Sequence, residues 1–437
     1  MPSPGSEALT TRFVGATLID GTGGPIRRGV TVEISAGLIS AVWPGPAPFA
    51  AEADTETVDA SNLTLLPGLI DGHAHLVLEP DVAAPDDWDR ALLDDDASLL
   101  LRGTVAAGRL IATGVTTARD CGGRGGLSLR IRDAIAQGEI LGPRILASGP
   151  VITRTDGHGH RFGIAADDAA TLQQVARTLL DDGVDFLKIM ATGGNLTRGT
   201  RPDIPQYSAA ELAVVADEAH RLGRRVTAHA HAHAGIQNVV DAGIDSIEHC
   251  SWIGGDGRAY DPRLVDRMTA NGVFVDFTPA VSYRMIEGHD PSWSELRERL
   301  RRVREIRVPT MVPMWKAGVQ FYFGSDAGTP LTFFEDFALV LELSVLEGGI
   351  PPDVVIAAAT GTAAQALGIA EDTGTIAAGK AADLLLIEGD PLRDIRALRQ
   401  VRRVYRGGRL VVDHGNLVVS RPGLAYLPPA VPVTPFA

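Results

Sequence analysis

The chain has 437 residues, 45% hydrophobic and 22% charged, which suits a large globular fold rather than a disordered or fibrous one. Lys and Arg number 40 against 54 Asp and Glu, and the resulting charge of −14 argues against nucleic acid or anionic membrane as a partner. Only two cysteines occur, Cys121 and Cys250, which excludes a disulfide framework and a cysteine-type zinc site. Neither a secretory leader nor an apolar run of about 18 residues is visible, so a cytoplasmic protein is the expectation.

Residues 11–65 read as short strands, Thr11–Asp20, Gly29–Ile34 and Leu38–Trp43, punctuated by Gly- and Pro-rich turns. From Leu65 onward the pattern becomes apolar strand, loop, helix, repeated. Near-continuous apolar runs indicate parallel strands buried on both faces. Eight are expected: Thr64–Ile70, Val115–Arg119, Arg144–Ser148, Phe186–Met190, Arg225–Ala228, Ser246–Glu248, Val273–Thr278 and Val319–Gly324. The clearest helix between them is Ser208–Leu222, where Ser208 and Glu211 form a capping box and Gly223 is the stop. A helix over Asp353–Leu367 follows, then GTIAAGKAADLLLI (374–387) as a hairpin into a strand, and further strands at Val401–Arg406 and Arg409–Val412. The tail from Pro422 is Pro-rich and reads as extended. The fold class expected is α/β: a (β/α)8 TIM barrel over 66–367, with a small composite β-sandwich domain assembled from both chain ends, 1–65 and 368–437.

The stretch Leu66–Leu76, LPGLIDGHAHL, organises the rest. In extended backbone His73 and His75 share a face and can bind one divalent ion. Two histidines in a loop would read the same way taken alone. Lys188, His229, His249 and Asp326 change that reading, because each ends or sits on an expected barrel strand. Such barrels carry their active sites at the C-terminal strand ends, so six candidate ligands meet at one rim.

These residues and strings make the chain resemble the amidohydrolase superfamily. GVTTARD, FLKIMATGG, VTAHAHAHAGI, GIDSIEHC and GSDAGTP are similar to its imidazolonepropionase-related branch, which holds metal-dependent Xaa-Pro dipeptidases. The resemblance implies a binuclear metal-dependent hydrolase of a C–N bond. His73, His75 and Asp326 hold one metal, His229 and His249 a second, and Lys188 bridges them as a CO2-derived carbamate. Imidazole and carboxylate donors suit two Zn2+ ions, with Mn2+, Co2+ and Fe2+ open. A metal-bridging hydroxide is the nucleophile, and the catalytic residues are Asp326, as proton carrier, and His249.

Carbamate formation needs a neutral amine, and Lys188 lies in the apolar run Phe186–Met190, which fits burial. His229, His231 and His233 alternate and could share a face; the resemblance, through the family pattern's spacing to Gly235-Ile236, implies His229 as ligand, with His231 a pocket residue and His233 a solvated one. His158, Arg154 and Tyr207 are further substrate-binding candidates. Tyr283, Arg284, Met285, Trp315 and Phe333 are unranked candidates for the pocket wall. The expected substrate is a small amide or peptide: a dipeptidase, carboxypeptidase-like or N-acyl amide hydrolase activity. A mononuclear deaminase or cyclic-amide hydrolase is the alternative, and an inactive scaffold of the same fold is the alternative of another class. A homo-oligomer is left open.

Overall fold

Eight parallel strands close into a barrel, each short and apolar enough to be buried on both faces. The computed structural model describes residues 10–51, 55–254 and 260–418; the Pro-rich tail from Pro422 lies outside these. The barrel strands are β1 (Leu69–Ala74), β2 (Val115–Asp120), β3 (Arg144–Ala147), β4 (Phe186–Met190), β5 (Arg225–Ala232), β6 (Ser246–Ile253), β7 (Phe274–Asp276) and β8 (Phe321–Tyr322). β1, β2 and β3 pair in that order, as do β4 through β8. The third strand is split: Arg144–Ala147 pairs with β2, and Val151–Thr153 pairs with β4. Gly149, at φ 64°, makes the jog between the halves.

The expected strand Thr64–Ile70 is in fact two strands of different sheets. Leu63–Pro67 runs antiparallel to Leu384–Glu388 and parallel to Thr10–Leu18, and only after Gly68 does the chain enter the barrel as β1. Pro67 and Gly68 are the physical cause. Proline offers no N–H to a continued ladder, and a Cβ on Gly68 would lie 2.1 Å from the Thr116 hydroxyl oxygen, so only glycine passes there.

The expected helix Asp353–Leu367 is also two helices, Pro352–Ala358 and Gly361–Leu367. The break frees the carbonyl of Ala359, which accepts from the Ile70 N–H of β1 at 2.9 Å. Ala209–Arg221 forms as expected, with the Ser208–Glu211 capping box made.

Both chain ends build one nine-stranded sheet. It curls on itself, so that Phe13 and Tyr405 meet edge to face at 5.0 Å around a shared core, although two strands lie between theirs in the sheet. The strand Thr55–Asp59, which the sequence pattern does not announce, pairs with Thr10–Leu18.

Closure between β8 and β1 sets up the site. Gly72 donates to the Phe323 carbonyl (2.9 Å), Asp326 N to the His73 carbonyl (2.7 Å) and His75 N to the Ala327 carbonyl (2.7 Å). Asp71 reinforces the seam: its Oδ1 accepts from Ser325 N at 2.9 Å and its Oδ2 from the Ser325 hydroxyl at 2.6 Å. Gly324 permits the approach, since a Cβ there would lie 2.2 Å from His73 Cβ and 2.5 Å from Asp276 Oδ2. Gly324→Ala is expected to destabilise the protein by about 2–3 kcal/mol through this overpacking. Urea denaturation measures it, and an unchanged midpoint would contradict the packing argument.

Candidate metal centre and active site

The strand ends bring the separated histidines, Lys188 and Asp326 to one cavity. His73, His75, Lys188, His229, His231, His249 and Asp326 all line it, as does His158. β5 runs on through Ala232, beyond its expected end at Ala228, so His229 and His231 lie on the strand itself and both reach the cavity. His233 opens the next helix and lies outside it.

Backbone strain aims two of these side chains. His249 (φ 67°) and Asp326 (φ 58°) are left-handed although neither is glycine, as are Cys250 and Thr278 nearby. Such conformations persist where surrounding contacts over-determine them. Here the β1–β8 seam holds Asp326, and Thr278 Oγ1 meets His249 Nδ1 at 2.8 Å.

The nitrogens and oxygens are arranged as cation donors. His73 Nε2, His75 Nε2 and Asp326 Oδ1 form a triangle with 3.3 Å sides. Donors about 2.0–2.1 Å from one tetrahedral ion lie about 3.3 Å apart. The second nitrogen of His75 faces an acceptor-only oxygen, the Gly122 carbonyl at 2.7 Å, which puts the proton on Nδ1 and frees the Nε2 lone pair. For His229 the order is reversed. Its Nε2 faces the Gly193 carbonyl at 3.3 Å, leaving Nδ1 free. Burial, reinforced by neighbouring cations, pushes the pKa values of His73, His229, His231 and His249 well below the usual imidazole range, and that of His158 down to about 3. These rings are neutral and can donate lone pairs. Two further donor groups, His229–His231–His249 and His73–Glu248–His249, lie beside the triangle. The donor set therefore fits divalent cations.

Lys188 is 1% exposed, and burial pushes its pKa down to about 8, so a neutral amine is accessible. Its Nζ is in close contact with Glu248 Oε2. Glu248, fully buried, is a site residue missed by sequence reasoning. Its Oε1 accepts from Arg119 (3.0 Å) and the Thr227 hydroxyl (3.1 Å), and its Oε2 lies 3.4 Å from His73 Nδ1. Arg119 also donates to the Gly72 carbonyl at 2.7 Å and the Tyr322 hydroxyl at 2.6 Å. Asp276 on β7 completes the layer, 3.5 Å from His73 Nδ1, with burial raising its pKa to about 7. The available signal was charged residues inside apolar strands, the same signal that singled out Lys188.

Two expected substrate contacts lie elsewhere. Tyr207 is buried beneath the rim and donates to the Ala166 carbonyl at 2.9 Å. Arg154 stacks over the Tyr207 ring and spends its donors on Gln206, Asp167 and Glu211. Neither lines the cavity. Nor do Tyr283, Arg284, Met285, Trp315 or Phe333. The outer wall comes instead from Trp88, Phe162, Ile286, Leu300, Val303, Arg304 and Arg307.

Residues 64–411 match the amidohydrolase family, and the chain belongs to it. Among its relatives is the ochratoxinase of Aspergillus niger, 28% identical over 448 residues that cover 94% of this chain and 88% of the relative. The crystal structure of that ochratoxinase superposes with a TM-score of 0.80 over 93% of this chain and 96% of the other. A Xaa-Pro dipeptidase crystallised with methionine in its active site is 28% identical, with a TM-score of 0.81 over 92% of this chain and 99% of that one. An imidazolonepropionase of Mesorhizobium japonicum is 25% identical over 85% of this chain and 89% of its own length. The protein is thus an α/β-barrel hydrolase acting on C–N bonds. Among the described residues no helix is long and apolar enough to cross a membrane.

The Arg119–Glu248 pair is 3% and 0% exposed at its side chains. Removing one partner of such a pair strands a buried charge. Arg119→Met is expected to destabilise the protein by about 3–5 kcal/mol. Chemical denaturation reads this directly, and a loss under about 1 kcal/mol would mean that Glu248 does not depend on Arg119.

Proposed function

We propose that the protein is a binuclear metal-dependent amidohydrolase that cleaves a small amide or peptide, with dipeptides and N-acyl amino acids as the favoured substrates. The observation that carries this reading is the 3.3 Å triangle of His73, His75 and Asp326, with Lys188, His229 and His249 lining the same cavity. His73, His75 and Asp326 would hold one divalent cation, His229 and His249 a second, and Lys188, as a carbamate, both. Zn2+ suits this donor set. Bound there, such a pair supplies Lewis acidity toward the scissile carbonyl and acidifies water to a usable nucleophile at neutral pH.

The chain's own groups do the rest. Asp326 faces His73 and His75 with Oδ1, which leaves Oδ2 to take a proton from the attacking water and return it to the leaving nitrogen. His158 and His231, held neutral by burial, line the cavity where the substrate carbonyl would sit, and Thr197 and Ser251 orient their rings at 2.9 and 2.8 Å. Phe162 and Trp88 exclude water from the approach. The Amidohydrolase family membership, the likeness to an ochratoxinase and the likeness to a Xaa-Pro dipeptidase support this reading.

A mononuclear centre is the second reading, and the close contact between Lys188 and Glu248 favours it, because an ammonium paired with a carboxylate needs no carbamate. Metal analysis separates the two. About two divalent ions per chain are expected for the binuclear site and about one for the mononuclear. Lys188→Ala is expected to lose metal and to lower turnover of N-acyl amino acids at least about 100-fold; normal metal content with normal turnover would remove Lys188 from the centre. Asp326→Asn is expected to retain metal while kcat falls about 100-fold or more. Unchanged kcat would take proton transfer away from Asp326.

A further inference from the structure

The cavity wall holds a cation that the proposed chemistry does not use. Arg307 ends the helix Ser294–Arg307 and is 3% exposed. Leu296, Leu300, Val303 and Arg307 recur at helical spacing on the buried stripe of an otherwise charged helix. An arginine on that stripe needs a partner. Its only acceptors among the described residues are two oxygens of one residue: Nη1 donates to Thr278 Oγ1 and Nη2 to the Thr278 carbonyl, each at 3.2 Å. Nε is buried and makes no hydrogen bond.

A guanidinium carries five N–H groups, so three remain unused; Nε–H is enclosed, and Arg307, which lines the cavity, has no carboxylate partner among the described residues, so its Nη–H groups are left for a ligand. The neighbouring Arg304, also on the wall, is already committed to Glu347 and to the Pro279 carbonyl. Position adds to this. Thr278 Oγ1 is shared, since it also meets His249 Nδ1 at 2.8 Å, so one hydroxyl separates the guanidinium from an imidazole of the proposed centre. In an N-acyl amino acid one tetrahedral carbon separates the scissile nitrogen from the carboxylate. Leu300, Val303 and Ile286 line the cavity beside Arg307 and suit an apolar side chain on that carbon.

We propose that Arg307 binds the free carboxylate of the substrate, restricting this enzyme to N-acyl amino acids and dipeptides with an unblocked C-terminus. This inference rests on the amide-hydrolase reading above, and the test separates their failures. The probes are N-acetyl-L-leucine, -phenylalanine, -methionine and -proline and the four matching carboxamides, used with the metal-loaded full-length chain.

Wild type is expected to favour the acids. Arg307→Met is expected to lower kcat/KM for the acids about 100-fold, mostly through KM, while the carboxamides change little and metal content stays constant. Arg307→Lys is expected to recover part of the loss, since it keeps the charge with fewer donors. It also carries the comparison if the methionine variant fails to fold. Equal wild-type rates on acids and carboxamides, or a variant that keeps the preference for acids, would overturn the role. If wild type hydrolyses none of the eight, the amide-hydrolase reading fails for this substrate class, and calorimetry decides the inference on its own. Binding of the acids by wild type but not by the Arg307 variant upholds the carboxylate site; acids that bind neither protein, or both alike, overturn it.

Discussion

Glu248 is a carboxylate shut off from the solvent. Arg119 and the Thr227 hydroxyl satisfy one oxygen, and Lys188 and His73 crowd the other. Removing these charges from water is costly, and the cost is met only because every partner comes from a different strand, with β2, β4, β5 and β1 all in place. The buried layer therefore couples barrel closure to the positioning of the candidate ligands. A barrel misregistered by one residue would turn these side chains outward and leave unpaired charges inside.

Above that layer the chemistry changes character. The histidines are held neutral by burial and by cationic neighbours, with Lys188 among the groups acting on His73, His158, His229, His231 and His249. The same lysine is made easier to deprotonate by its own burial. Neutral nitrogen donors and a carboxylate facing one another at 3.3 Å repel unless a cation sits among them. Strain in the backbone at His249 and Asp326 is stored where that cation would be bound.

The outer wall is a separate device. Loops and the helix before β8 supply apolar residues and two arginines, one neutralised and one not. A fold of this kind keeps its reacting groups on strand ends and varies the wall, which is why family membership settles the class of bond cleaved but leaves recognition of the leaving group to residues such as Arg307.

Much was legible in the chain itself. Apolar runs at regular spacing announce the strands, and histidines, lysine and aspartate at their ends announce the rim, because local pattern encodes burial and strand direction. The two chain ends read as β, and they do form one sheet. What the pattern could not encode is contact between distant segments. Pro67-Gly68 reads as part of an apolar run, yet Thr116 makes it the junction between two sheets. Arg154 and Tyr207 lie near the expected rim in sequence, yet they satisfy each other and the backbone below it. Glu248 sits inside the GIDSIEHC string and Arg307 on a helix stripe, yet neither pattern names its partners. Each acquires its role from partners remote in sequence, and only the folded barrel determines which buried charge is paired and which is left open to a ligand.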